Sequence, residues 1–283
     1  MRGKKMKFKI EEEFLLSKTQ FQKDCEDRIL INENYFAVID GATSKTEVLW
    51  DGYTSGQLAG QFLIESLNSI PPEATAREAV DLTTSKIFDF YGDQYLIEII
   101  KHKPFLKLAV SFIAISKSRE EIWLVGDCHG MIDRRYIENK KDIDELLSEV
   151  RSLYLESELL MGKTISDLEE KDTGREFIMP LLRRQQLFQN NLNNSYGYST
   201  IDGFPVEDNG IHIIPIPKNA KFVVLASDGY PKLYSTLKAT EEYLNHLLKK
   251  DPLLFKDYKS TKGKGKDDIS FDDRAYLKIL IQD

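Results

Sequence analysis

The run Tyr35-Phe36-Ala37-Val38-Ile39, ending abruptly in Asp40-Gly41, decides how this chain is read. A short apolar run rich in β-branched and aromatic residues reads as a buried strand. With Arg28 to Ile31 before it, across the turn Asn32-Glu33-Asn34, it reads as the second arm of a pair. A carboxylate at the end of a core strand, followed by Gly, is a place where active-site groups sit. The same juncture recurs along the sequence. Glu121 to Val125 runs into Gly126-Asp127, and Phe222 to Ala226 runs into Ser227-Asp228-Gly229. Asp272-Asp273 introduces a closing strand from Ala275 to Ile281, and Glu26-Asp27 immediately precedes Arg28.

Taken singly, Asp-Gly is first of all a turn signal. Carboxylates at several strand margins, with almost no lysine among them, point further. If those ends converge, the acids raise one another's pKa, and bound divalent cations remove that cost. Mg²⁺ and Mn²⁺ favour oxygen ligands and bind through a few carboxylates plus waters. The pattern alone leaves both readings, turns and a metal site, open.

Outward from these junctures, Lys7 to Ile10 opens a first strand, and Lys107 to Ile115 pairs with Glu121 to Val125. Helical spacing predicts helices over Thr54 to Leu67, over Thr75 to Phe90 (entered at a Thr cap) and over Thr240 to Lys249. Between about 140 and 190, charges are dense and leucines recur at helical spacing, which predicts two or three outer helices. Strands and helices do not alternate strictly, so mostly antiparallel sheets with helices outside are expected. The expectation is one domain over residues 1–283, with a helical insertion at about 140–190.

The bulk numbers set bounds. In 283 residues, 41% hydrophobic and 30% charged, there is enough apolar material for a packed core. A net charge of -7 disfavours nucleic acid and anionic membrane surfaces as partners. The strongest basic cluster, Lys259, Lys262, Lys264 and Lys266, reads as a solvated loop. Two cysteines are too few for a disulfide framework, the basic N-terminus has no signal-peptide core, and no apolar run is long enough to span a membrane. A cytoplasmic protein is expected. The four histidines show no metal-ligand spacing and read as surface or core residues.

The ordered set of motifs resembles the protein phosphatase 2C-like family of metal-dependent phosphatases. Cys25-Glu26-Asp27-Arg28 and Val38-Ile39-Asp40-Gly41 are similar to its opening, and Leu124-Val125-Gly126-Asp127-Cys128 to its central Gly-Asp-Ser. Leu225-Ala226-Ser227-Asp228-Gly229 looks like its Ser-Asp-Gly block, and Asp272-Asp273-Arg274-Ala275 stands where its terminal acids precede the last strand. The resemblance implies an α+β fold, a four-layer α-β-β-α sandwich of two mostly antiparallel sheets flanked by helices. It implies a phosphoprotein (Ser/Thr) phosphatase with two Mg²⁺ or Mn²⁺ ions. Asp40 would bridge them, Glu26 and the Gly41 carbonyl would complete one, and Asp228 and Asp272 would hold the other. Asp127, with Asp228, would serve a weaker third ion. Asp40 and Asp228 would act catalytically through metal-bound water. A phosphorylated protein substrate and an opposing cognate kinase are the partners implied.

Some positions depart from the family pattern. Where an Arg often grips the phosphate, this chain has Gln22, and Lys23 would substitute as a point charge without the bidentate fork. Ala42-Thr43-Ser44-Lys45 carries no His after Asp40-Gly41. Asp267 competes with Asp272 as the terminal ligand, and Asp272 is preferred because Ala275 to Ile281 is a clean strand. The alternatives are a catalytically weak member serving as a regulatory or binding module, and a phosphomonoesterase for small metabolites.

Overall fold

The computed structural model describes residues 5–282; residues 1–4 of the basic N-terminal run, and residue 283, lie outside it. Strands β1 (Lys7–Leu16), β2 (Arg28–Ile31) and β3 (Tyr35–Gly41) come first, followed by helices α1 (Ser55–Ser69), α2 (Ala76–Asp93) and α3 (Ile97–His102). Strands β4 (Val110–Ser116), β5 (Glu121–Val125), β6 (His129–Ile132) and β7 (Arg135–Ile137) lead to α4 (Asp142–Leu160), α5 (Ile165–Glu170) and α6 (Thr173–Arg184). The chain closes with β8 (His212–Pro215), β9 (Phe222–Ala226), α7 (Leu237–Lys250) and β10 (Arg274–Gln282).

The strands form two five-stranded sheets, ordered β1-β10-β9-β6-β7 and β2-β3-β4-β5-β8, and every pairing is antiparallel. Side-chain alternation along each strand sets the layers. On β3, Phe36 and Val38 join Ile113, Leu124, Val223, Leu225 and Leu277 in the core between the sheets. Tyr35, Ala37 and Ile39 point the other way and pack under α1 and α2 against Leu58, Leu63 and Val80. On the far side, Val224, Ala226 and Tyr276 pack against Leu244 and Leu248 of α7. The result is the four-layer α-β-β-α arrangement that the resemblance implied.

Helix entry follows the local sequence. Thr54 and Thr75 both build capping boxes, with Gln57 and Glu78 answering from the third helical position. Helices α4 to α6 occupy the stretch where outer helices were expected, and α4 and α6 share a small core of Ile143, Leu147, Ile178 and Leu182. Buried Arg151 of α4 clamps Asp172 at the α6 N-cap (Nη2 to Oδ2, 2.6 Å) and also donates to the carbonyls of Leu254 and Ser260. That one guanidinium therefore fixes the helical stretch to the Gly-Lys loop.

Two expectations need correction. The first strand runs on to Leu16, because β10 pairs with it along its whole length past a bulge at Ile10/Glu12. The Gly-Lys loop is not simply solvated: Lys259 pairs with Glu149, and Lys262 turns inward onto Asp272.

Candidate metal centre

Register brings the acidic junctures together. Arg28 lies opposite Ile39, so Glu26 and Asp27 enter β2 beside the place where β3 ends. Asp40 lies opposite Ser111 on β4, and Val125 opposite Phe112, so the chain leaving β5 passes Ser111. There Ser111 Oγ donates to Asp127 Oδ1 at 2.8 Å. Between β5 and β6 the chain crosses from one sheet to the other. In the second sheet Ala226, at the end of β9, lies opposite both His129 at the start of β6 and Tyr276 near the start of β10. Asp228 and Asp272 leave from that same end.

Two glycines permit this convergence. Gly126 has φ of +84°, and a Cβ there would stand 2.0 Å from Ser111 Oγ. A Cβ on Gly41 would meet the Gly56 carbonyl oxygen at 2.4 Å, where the end of β3 abuts the first turn of α1.

Carboxylate oxygens of Asp40, Asp127 and Asp228 lie within 4.8 Å of one another. Burial, then repulsion from Asp27, Asp127 and Asp272, raises Asp40 well above the usual carboxylate range. Burial, then Asp40, Asp127 and Asp272, does the same to Asp228. Asp272 lines the same cavity. Burial would raise it too, but Lys262 and Lys18 outweigh that and hold it at about 2. Glu26 is raised by burial, against the pull of Lys18. Its Oε1 accepts from the Thr54 hydroxyl at 2.6 Å. The Lys18 ammonium joins Glu26 to the terminal acids, 3.7 Å from Glu26 and 3.6 Å from Asp272.

The paired acids divide their tasks. Asp273 accepts the backbone N–H groups of Lys18 (2.7 Å) and Glu26 (2.8 Å), tying β10 to the segment before β2. Asp27 is buried, and burial raises it well above its ordinary value. Asp267 is exposed. Asp202, in another Asp-Gly of the sequence, is ion-paired to Lys107 at 2.8 Å and does not line the cavity. Lys23 is exposed, its ammonium 5.8 Å from the Phe21 ring, and it does not line the cavity.

Sequence reasoning missed the cations. Lys141 reaches Asp127 at 2.5 Å, and Lys262 pairs with Asp272. Lys45 and Arg175 line the cavity of about 730 Å³ above the carboxylates. So does His129, whose Nε2 has no hydrogen-bond partner among the described residues and whose burial lowers its pKa to about 4. Local sequence did not mark these contacts, because which acid a cation meets is decided by how the loops are anchored and not by its neighbours in the chain.

A convergent hard-oxygen donor set fits Mg²⁺ or Mn²⁺. Asp40, Asp127 and Asp228 form the group that could hold an ion; Asp272 lines the same cavity, and Lys18 links Glu26 to Asp272.

No protein-family model matches this chain, and no curated protein sequence matches it. Solved structures similar to it over nearly its whole length include bacterial phosphatases. The Mycobacterium tuberculosis serine/threonine phosphatase PstP/Ppp is 14% identical over 98% of this chain and 99% of that one, with a TM-score of 0.48. Serine/threonine phosphatase Stp1 from Staphylococcus aureus is 13% identical over 98% and 95%, with a TM-score of 0.47. The PstP catalytic domain in complex with 2 manganese ions is 15% identical over 99% and 98%, with a TM-score of 0.44. Identity this low says nothing about chemistry, and the functional reading rests on the carboxylates themselves.

Proposed function

We propose that this chain is a metal-dependent phosphatase of the 2C-like kind, removing phosphate from Ser or Thr side chains of proteins. The observation that supports it best is the meeting of Asp40, Asp127 and Asp228, from junctures in two sheets, within 4.8 Å at the floor of an open cavity. Clustering like charges is costly, and a fold that concentrates them beside an accessible space is arranged for cations.

In this reading Asp40, Asp228 and Asp272, with Glu26 and the Gly41 carbonyl, would hold a pair of divalent ions, and Asp127 with Asp228 a weaker third. When bound, such ions lower the pKa of a coordinated water toward neutrality and offset charge on phosphoryl oxygens. The chain's own residues do the rest. Ser111 fixes the Asp127 carboxylate, Thr54 fixes Glu26, and Asp273 holds the backbone from which Glu26 projects. No side-chain nucleophile is called for, consistent with both cysteines being buried and pushed up in pKa, chiefly by burial.

The test is hydrolysis of p-nitrophenyl phosphate and of a phosphoserine peptide with Mn²⁺ or Mg²⁺, with and without EDTA, in wild type and Asp40→Asn. Metal-dependent turnover lost in the variant supports the reading. Equal rates with EDTA, or in the variant, would sink it. Turnover of small esters but not of the peptide would favour a metabolite phosphatase. One observation favours the binding-module alternative: Lys18, Lys141 and Lys262 already neutralise part of the acidic charge. Absence of both metal uptake and turnover would select it.

A further inference from the structure

Resting on the phosphatase reading, we infer that Lys45 and Arg175 form the subsite that grips the phosphate dianion of the substrate, in place of the arginine that Gln22 does not supply. The cavity is ringed by cations, and most are already paired. Lys141 meets Asp127 and Asp144, Lys262 meets Asp272, and Lys259 meets Glu149. Lys45 and Arg175 also line the cavity, and neither has a carboxylate within ion-pair distance among the described residues. Lys45 Nζ donates to the Thr43 carbonyl at 3.0 Å, and Arg175 Nη1 to the Thr261 carbonyl at 2.9 Å. These contacts leave most of the donors on each head group free.

Neither cation is on the open surface, and withdrawing an unpaired charge from water is unfavourable. The cost is visible at Lys45, which burial, then Arg175 and Lys262, push down to about 7. Nearby Asp144 and Glu26 pull the other way without closing an ion pair. An anion in the cavity would relieve the repulsion. It would have to carry enough charge to engage two cations while lying next to a carboxylate cluster occupied by metal, which a phosphate dianion does. The guanidinium supplies a planar fork for two phosphoryl oxygens, and the ammonium a compact point charge.

Both side chains are held by the frame that carries the acids. Lys45 lies on the loop that leaves β3 just after Asp40 and Gly41. Arg175 stands in the first turn of α6, where its backbone N–H donates to Asp172 at 2.8 Å, and Arg151 clamps that same carboxylate. Arg151 also anchors the loop bearing Thr261. The helical stretch thereby contributes a substrate group rather than only covering the sheet.

The experiment titrates inorganic phosphate calorimetrically into the Mg²⁺-loaded full chain, in wild type, Lys45→Gln, Arg175→Gln and Arg175→Lys. Steady-state p-nitrophenyl phosphate kinetics, Mg²⁺ affinity and melting temperature are measured on the same preparations. Each Gln variant should raise the phosphate Kd and the KM about tenfold or more, the scale of one charge-assisted hydrogen bond. Arg175→Lys should recover part of the loss, with Mg²⁺ affinity unchanged. Arg175 also holds Thr261, so Lys45→Gln, where the side chain lost bonds only nearby Thr43 among the described residues, decides if the Arg175 variants unfold. Phosphate Kd and KM unchanged in Lys45→Gln, with metal-dependent turnover intact, would overturn the subsite and leave the phosphatase reading standing. Phosphate binding that weakens in the variants, in a wild type without turnover, would support the subsite and sink the phosphatase.

Discussion

Replacing Asp40 with Asn should stabilise the metal-free chain and abolish its stabilisation by metal. Two ionised carboxylates 4.8 Å apart, the outer limit of the Asp40, Asp127 and Asp228 cluster, repel by about 3.5 kcal/mol at an effective dielectric of ~20. Part of that is already relieved, because Asp40 and Asp228 are pushed up in pKa and Lys141 offsets Asp127. Asn keeps the shape and removes the charge, so a gain of about 1–2 kcal/mol near neutral pH is expected in EDTA. For a chain of this size that is a melting temperature higher by roughly 2–4 °C. The gain should fade as pH falls, since a protonated Asp40 no longer repels. With Mn²⁺ at about 100 times Kd, wild type should gain about 2.7 kcal/mol by mass action and the variant far less. The order of the two melting temperatures should therefore invert between EDTA and Mn²⁺, read by differential scanning fluorimetry with calorimetric confirmation. An Asn variant that melts lower in EDTA, or gains as much from Mn²⁺ as wild type, would show that Asp40 is not part of a repulsive, metal-ready cluster.

Other outcomes follow from the same geometry. Lys262→Met should destabilise by about 1–2 kcal/mol in urea melts near neutral pH. Lys262 is the largest influence holding Asp272 at about 2, below its unfolded value of 3.8. That contribution is present above about pH 4 and is lost as pH falls through the folded value, so a deficit that does not shrink on acidification would contradict it. Gly126→Ala should cost about 2 kcal/mol or more in chemical denaturation, from the positive φ and the collision with Ser111 Oγ; a change of a few tenths would show that the crossing between sheets relaxes freely. Thr54→Val removes both the α1 cap and the hydrogen bond to Glu26. It should lower stability by about 1 kcal/mol and weaken Mn²⁺ binding measured calorimetrically, and unchanged Mn²⁺ affinity would separate Glu26 from the ions.

Most of the sheet framework was legible in the sequence. Phe222–Ala226 and Glu121–Val125 form strands over their predicted spans, and Thr75 caps α2 as predicted. Those features depend on apolar runs and side chains acting within a few residues. The short strands β6, β7 and β8 were not legible, because three or four residues gain a strand conformation only by pairing, β6 with β9, β7 with β6 and β8 with β5.

For the site, the sequence by itself determined which acids stand at strand margins, since a core strand must end where a carboxylate meets water. It did not determine what each acid faces. Asp272 and Asp273 are neighbours, yet one opens on the cavity while the other binds the backbone N–H of Lys18 and Glu26 across the fold. Lys18, Lys141 and Lys262 enter the cluster from segments far apart along the chain, on two loops and beside α4. Charge acts through space rather than along the backbone, so only sheet register and loop anchoring decided which cations oppose which carboxylates, and which half-buried ones, Lys45 and Arg175, have no carboxylate partner among the described residues.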